Sequence, residues 1–313
     1  MKFDAEPHFY GVGAKKEKTM HSAGNQPMRN KGFICCARVF TLFFVLFLGA
    51  ASKNAFAFDL ALIEPAKLAQ SSGQWAVLDA RPKSDWLAGH IPGSLSFSWK
   101  DYTYTDKMGR AYRLLPAGQL AASLGRMGIN ENTPVVVYGD AVRSMGGEGW
   151  ITWVLLWLGH KGPIRVLDGG IQAWKDHGYP VEAGPGCSTR PVTVYKVRPR
   201  PGIDVKTRKL ESKNRRFVLI DTRSELEWIM GRIPGAVHIP WTEFRTGREN
   251  RPLDRAGLEK LLESHGINPG ESVVFYCSGG IRSGYAWTVY ELDGFPRARN
   301  YLGGWESWRL RGR

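Results

Sequence analysis

The stretch VVFYCSGGIRSGYAW, residues 273–287, holds the residues best suited to chemistry. A β-branched and aromatic run ends at Tyr276, and Cys277 follows directly. Ser278, Gly279, Gly280, Ile281, Arg282 and Ser283 come next. A loop that leaves a strand and enters a helix aims backbone N–H groups inward, and glycines let that backbone approach a bound group closely. The positive end of the following helix adds to the same field. Such a cradle favours a thiolate at its centre, which makes Cys277 a candidate nucleophile near neutral pH. Arg282 is expected to add a permanent positive charge, and Ser278 and Ser283 to offer hydroxyl donors. The competing reading is a small buried hydrophobe at a strand end, where free cysteines often sit.

The elements that must position this loop occur twice. QWAVLDARPKSDWLAGHIPGSLSFSW (74–99) aligns without gaps on RFVLIDTRSELEWIMGRIPGAVHIPW (216–241), with eight of 26 positions identical. LAASLGRMGINENTPVVVYGD (120–140) matches LEKLLESHGINPGESVVFYCS (258–278), and RVLDGGIQAW (165–174) matches RNYLGGWESW (299–308). Three blocks in one order mean two copies of a domain rather than a short-period solenoid. The expected division is 58–183 for the first copy, a Pro/Gly-rich linker over 184–203, and 204–313 for the second. In each copy short apolar runs alternate with helical patterns, which predicts a parallel sheet with helices on both faces. Ligands of such sheets bind beyond the carboxyl ends of the strands, where Cys277 stands.

The first copy carries Gly139 where the second has Cys277, so it lacks the nucleophile. Arg143 follows Gly139 by four residues and Arg282 follows Cys277 by five, which predicts a first loop one residue shorter and no equivalent cradle. Asp221 and Arg223 recur as Asp79 and Arg81 in the copy without a cysteine, and this favours a structural role for the pair. His90 in the first copy is matched by Arg232, so no histidine base is available there in the second.

Residues 1–57 have a separate character. The 13-residue apolar run at 39–51 is short for a membrane span. Arg29, Lys31 and Arg38 precede it and Ala55-Phe56-Ala57 follows, the pattern of a secretory signal cleaved after Ala57. The expected location is therefore periplasmic or otherwise exported, with no stable membrane association after cleavage; an uncleaved anchor is the alternative. The remaining chain holds 35 basic and 26 acidic residues, a net +9. That surface suits small anionic substrates, and no helix-turn-helix, zinc-ligand or aromatic stacking pattern points to nucleic acid. Cys35 and Cys36 would leave with the signal. Cys187 and Cys277 remain, and a disulfide between them competes with a free nucleophile in an oxidising compartment.

The D-x-R segments at 79 and 221, GHIPGS and GRIPGA, CSGGIRS, and LDGGIQAW with LGGWESW together make the chain similar to tandem-domain rhodaneses, from about residue 60 to 313. The resemblance implies an α/β protein of two rhodanese-like domains, each a mainly parallel sheet flanked by helices, active only in the second. It implies a sulfurtransferase moving sulfur from thiosulfate or a similar anionic donor to cyanide or a thiol acceptor through a Cys277 persulfide, with no cofactor and no metal. The related phosphatases have a cysteine-to-arginine loop one residue longer, so the spacing here resembles the sulfur-transfer form. One departure stands out: the donor-binding arginine found beyond D-x-R in thiosulfate and mercaptopyruvate members is absent, and Glu225 and Glu227 occupy that region. A carrier that delivers persulfide sulfur to a partner protein is the alternative function.

Overall fold

Runs such as VVVY and VVFY are β-branched and aromatic, and they form strands buried on both faces, as parallel sheets require. The computed structural model describes residues 58–140, 142–186, 190–212, 214–295 and 298–311. Residues 1–57, expected as a secretory signal, and Cys187 lie outside the described residues. The first copy begins with β1 (Leu60–Ile63), α1 (Pro65–Ser71), β2 (Ala76–Asp79), α2 (Lys83–Ala88) and β3 (Leu95–Ser96). A hairpin of β4 (Thr103–Tyr104) and β5 (Arg113–Leu114) follows. Then come α3 (Ala117–Arg126), β6 (Val135–Tyr138), α4 (Gly147–Trp157), β7 (Ile164–Leu167) and α5 (Gly170–Asp176).

The second copy repeats this order without a counterpart of β1, where only an isolated bridge joins Asp204 to Asn300. It has α6 (Thr207–Glu211), β8 (Val218–Asp221), α7 (Glu225–Ile229) and β9 (Ala236–His238), then a hairpin of β10 (Arg245–Thr246) and β11 (Arg251–Pro252). It closes with α8 (Arg255–Ser264), β12 (Val273–Tyr276), α9 (Ile281–Leu292), β13 (Ala298–Asn300) and α10 (Gly304–Arg309). The sheets run β1-β7-β6-β2-β3 and β13-β12-β8-β9, and every pair in them is parallel. Asp79 pairs in register with Tyr138 and Asp221 with Tyr276, so each D-x-R segment starts beside the end of the strand that leads to Gly139 or Cys277.

Side-chain alternation along the central strands divides the core into layers. Val136 and Tyr138 pack outward against Leu68 of α1 and Trp174 of α5, while Val274 and Tyr276 pack against Leu210 of α6 and Trp308 of α10. Val135, Val137, Val273 and Phe275 face inward and join one core shared by both copies. The helices α4 and α9 lie in that shared core and are buried around nearly their whole circumference. Their backbones meet at Gly149 and Gly284: a Cβ at 149 would collide with the Cα of Tyr285, and one at 284 would lie 3.1 Å from the Cα of Trp150. Thr288 Oγ1 donates to the Gly149 carbonyl at 3.0 Å across the same contact.

The segment expected as a linker is tied down along the first copy where it is described. Thr193, Arg198 and Arg200 donate their amides to the carbonyls of Gly125, Leu158 and Trp157, and Tyr195 is buried. No helix among the described residues is long and apolar enough to cross a membrane.

The helix crossing sets a clear contrast between two glycines. Gly149→Ala inserts a methyl where backbone stands and should destabilise the protein by about 1–3 kcal/mol. Gly118→Ala, on the exposed face of α3 with open space around it, should stabilise by about 0.5–1 kcal/mol. Urea unfolding midpoints of the two variants against the parent would show the opposite signs.

Candidate active site

The strand β12 delivers Cys277 to the sheet's carboxyl edge as a free, buried thiol. Gly280 takes the left-handed backbone conformation (φ +86°) and is the N-cap of α9, which lets the chain turn from strand to helix within three residues. Its N–H donates to Cys277 Sγ at 3.1 Å. The loop's carbonyls are drawn away from the sulfur. Cys277 O accepts from Trp305 N at 2.8 Å, Ser278 O from Glu306 N at 3.1 Å, and Gly280 O from Asn300 Nδ2 at 3.0 Å. The first two are orphan amides at the start of α10, so the LGGWESW motif serves to orient the cysteine loop. Gly304 has no room for a side chain because its Cβ would collide with Ser278 O.

Arg282 is placed near the sulfur, but its charge is already engaged. Its Nη1 donates to Glu227 Oε2 at 2.6 Å and its Nη2 to Glu227 Oε1 at 2.8 Å, a bidentate pair. Ser278 Oγ accepts from Arg282 Nη2 at 2.9 Å and donates to Glu227 Oε1 at 2.8 Å. Burial opposes ionisation of Glu227, yet the Arg282 hydrogen bonds and charge outweigh it and hold the carboxyl well below the usual range. Burial likewise disfavours charge on Arg282, and the Glu227 bonds with the adjacent Cys277 sulfur push it above the ordinary arginine value. Ser283, expected as a donor to the cradle, points elsewhere: its Oγ donates to Asn300 Oδ1 at 2.7 Å inside the core. Neither serine hydroxyl bonds the sulfur; a backbone amide does. Ile281 is buried and begins the helix beside Cys277.

Asp221 and Arg223 are buried behind the loop. Arg223 Nη2 donates to Asp221 Oδ2 and to the Gly231 carbonyl, each at 2.6 Å, and its guanidinium lies 4.8 Å from the Trp305 ring centroid. The first copy repeats the pair with Arg81, Asp79 and Gly89. These groups brace the β8–α7 corner and the ring at the start of α10, consistent with the structural role expected from their duplication.

The roof over Cys277 comes from the other copy. Trp99, Tyr112 and Met145 face Cys277, Ser278, Gly279, Ile281 and Arg282 across a chamber of about 50 Å³. Tyr112 sits in the left-handed region (φ +60°), unusual for a bulky residue, and its ring and Cβ occupy the space a side chain at Gly279 would need. These three roof residues carry no motif and were not identified from the sequence.

The rhodanese-like domain model matches the chain twice, over residues 63–177 and 205–311. The chain belongs to the rhodanese family. A putative thiosulfate sulfurtransferase, SseA, of Mycobacterium tuberculosis (strain CDC 1551 / Oshkosh) is 32% identical over 238 residues, covering 70% of this chain and 77% of the relative. A thiosulfate sulfurtransferase of Pseudomonas aeruginosa is 28% identical over 271 residues, 80% of this chain and 94% of its own. The crystal structure of SseA from Escherichia coli, a 3-mercaptopyruvate sulfotransferase, shares the fold with a TM-score of 0.68 at 21% identity, covering 78% of this chain and 98% of that one. With sulfurtransferases matching across most of its length, this rhodanese is a sulfurtransferase enzyme.

The first rhodanese domain builds the corresponding loop differently. The expectation of a loop one residue shorter is overturned: α4 starts at Gly147, eight residues after Gly139, whereas α9 starts four residues after Cys277. Arg143 is not the counterpart of Arg282; it lies in the added loop, largely exposed, and pairs with Asp85 at 2.7 Å. The second residue of α4 is Glu148, so an acid stands where the second copy has Arg282. Ser144 Oγ donates to Glu148 Oε2 at 2.7 Å, and that oxygen fills the place where a Cβ on Gly139 would go. A cysteine at 139 would collide with a carboxylate. Gly139→Cys should therefore gain no sulfur on incubation with thiosulfate in a Cys277→Ser background, and a one-sulfur mass increase on residue 139 would contradict this.

Burial, reinforced by the charge of Asp140, pushes the Glu148 carboxyl up to about 7 against the opposing backbone and Ser144 hydrogen bonds. Between its unfolded value of 4.5 and about 7 the folded protein keeps a proton that the unfolded chain has released. Stability then falls as pH rises through that window, by up to about 3 kcal/mol from this group. Glu148→Gln should remove that slope and be more stable than the parent at pH above the window, as denaturant midpoints across the range would show.

Proposed function

We propose that Cys277 carries sulfur as a persulfide between an anionic donor such as thiosulfate and a thiol or cyanide acceptor. The observation that supports this most is the loop itself: a free thiol at a parallel sheet's carboxyl edge, bonded by the Gly280 amide, with the neighbouring carbonyls tied to α10 and Asn300. The same amide-facing geometry suits a thiolate and a terminal persulfide sulfur, because both are anions needing donors rather than acceptors.

In the first half-reaction the Cys277 thiolate attacks the outer sulfur of thiosulfate. A sulfur–sulfur bond forms to Cys277, the bond within the donor breaks, and its electron pair leaves with sulfite. In the second, a thiolate or cyanide attacks the terminal persulfide sulfur, takes it, and returns the electron pair to Cys277 as thiolate. This is double-displacement covalent catalysis. The chamber of about 50 Å³ suits a small sulfur anion and is far below the volume of a drug-sized pocket.

Thiosulfate:cyanide transfer and intact mass test this reading together. The parent protein should add one sulfur on Cys277, lose it to cyanide, and turn over with parallel reciprocal plots. Cys277→Ser should lose both the adduct and at least about 99.9% of turnover, the scale of removing a covalent nucleophile. Turnover by Cys277→Ser, or an adduct on another residue, would overturn the assignment. A parent protein that loads sulfur but does not turn over would instead mark a carrier.

A further inference from the structure

The chamber over Cys277 is lined by Trp99, Tyr112, Met145, Ile281 and loop backbone, and its single charged lining residue is Arg282. A dianionic donor entering so apolar a space needs that cation. Both of the guanidinium nitrogens that reach toward Ser278 and α7 are already committed to the two oxygens of Glu227. The Arg282 side chain is only 12% exposed and Glu227 about a third exposed, so the pair closes one side of the chamber rather than floating on the surface. Glu227 is itself held from behind. It is the N3 residue of α7, and its Oε2 accepts from the Ser224 amide at 3.1 Å while Ser224 Oγ accepts from the Glu227 amide, a reciprocal capping box.

We propose that Glu227 sets the donor selectivity of Cys277 by holding Arg282 in a bidentate pair that a doubly charged sulfur oxyanion must displace, so that the site prefers donors of lower charge. The inference rests on sulfur transfer through Cys277 as described above. It adds a specificity-determining residue whose effect is opposite to that of a donor-binding arginine. The carboxylate competes with the substrate for the cation that would bind it. Its ionisation persists throughout neutral and mildly acidic pH, because Arg282 holds it in that form against its own burial. Competition at one guanidinium in a low-dielectric chamber discriminates by charge, since a second negative charge on the donor feels the unrelieved Glu227 more strongly.

The test is Glu227→Gln, which keeps an acceptor for the Ser224 cap and for Arg282 but removes the charge. With thiosulfate, a dianion, its KM should fall roughly ten- to a hundredfold, the scale of releasing one hydrogen bond to a charged group. With methanethiosulfonate, a monoanion of similar size, KM should change by about threefold at most, so the ratio of the two KM values moves. Glu227→Asp keeps the capping acid but shortens its reach, and should shift the same ratio in the same direction by less. An unchanged or raised thiosulfate KM in variants whose thermal midpoint matches the parent would overturn the proposal, as would an equal fall for both donors. If Glu227→Gln folds poorly, the aspartate variant decides by the same ratio. Cys277→Ser run in parallel separates the failures: transfer in its presence refutes the persulfide itself, while transfer that needs Cys277 yet ignores Glu227 refutes only the selectivity.

Discussion

A peptide loop can turn its amides toward a sulfur only if its carbonyls find partners on the other side. In this rhodanese the partners are the first amides of α10 and the side-chain amide of Asn300, and the loop geometry follows from them. The parallel sheet fixes where Cys277 leaves β12, Gly280 supplies the sharp entry into α9, and Gly304 allows α10 to approach without a side chain in the way. Asp221, Arg223 and Trp305 then brace the corner from behind. Each part is ordinary; their convergence on three carbonyl oxygens gives the thiol its surroundings.

The two copies show what the architecture tolerates. Both keep the buried D-x-R pair, the glycine before the last helix, and a helix packed at the shared core. They diverge in the loop, where an acid replaces a cation at the second residue of the helix and its oxygen takes up the cysteine's volume. The hairpins cross over reciprocally: β4–β5 leads to Tyr112 above the Cys277 loop, and Glu249, Asn250 and Pro252 of the β10–β11 hairpin border Gly139. Asn250 shares the left-handed backbone of Tyr112.

The fold was legible because duplicated apolar runs ending in Asp, alternating with glycine-closed helices, leave few topologies open. The cysteine loop was legible from the glycines and the helix start beside it. The position of the first loop was misread because Arg143 offered a tempting match, although the spacing of the repeats held the answer. The matched blocks stand 142, 138 and then 134 residues apart, so the first copy carries four extra residues twice, once in its hairpin and once after Gly139. In the sequence Glu227 reads only as an acid in the region where a donor-binding arginine is absent, and that position says nothing about the arginine on another element that the carboxylate grips. Trp99, Tyr112 and Met145 reach the site through packing between copies, which no local pattern encodes.

The roof has a consequence for how such a chain can evolve. The first copy has a glycine where the second has Cys277. Here the copy without the cysteine supplies the ceiling of the chamber over Cys277, down to a tyrosine held in a disfavoured backbone conformation against Gly279. Substitutions in that hairpin change the chamber as surely as substitutions in the loop that holds the sulfur. The walls of the chamber over Cys277 therefore come from both copies.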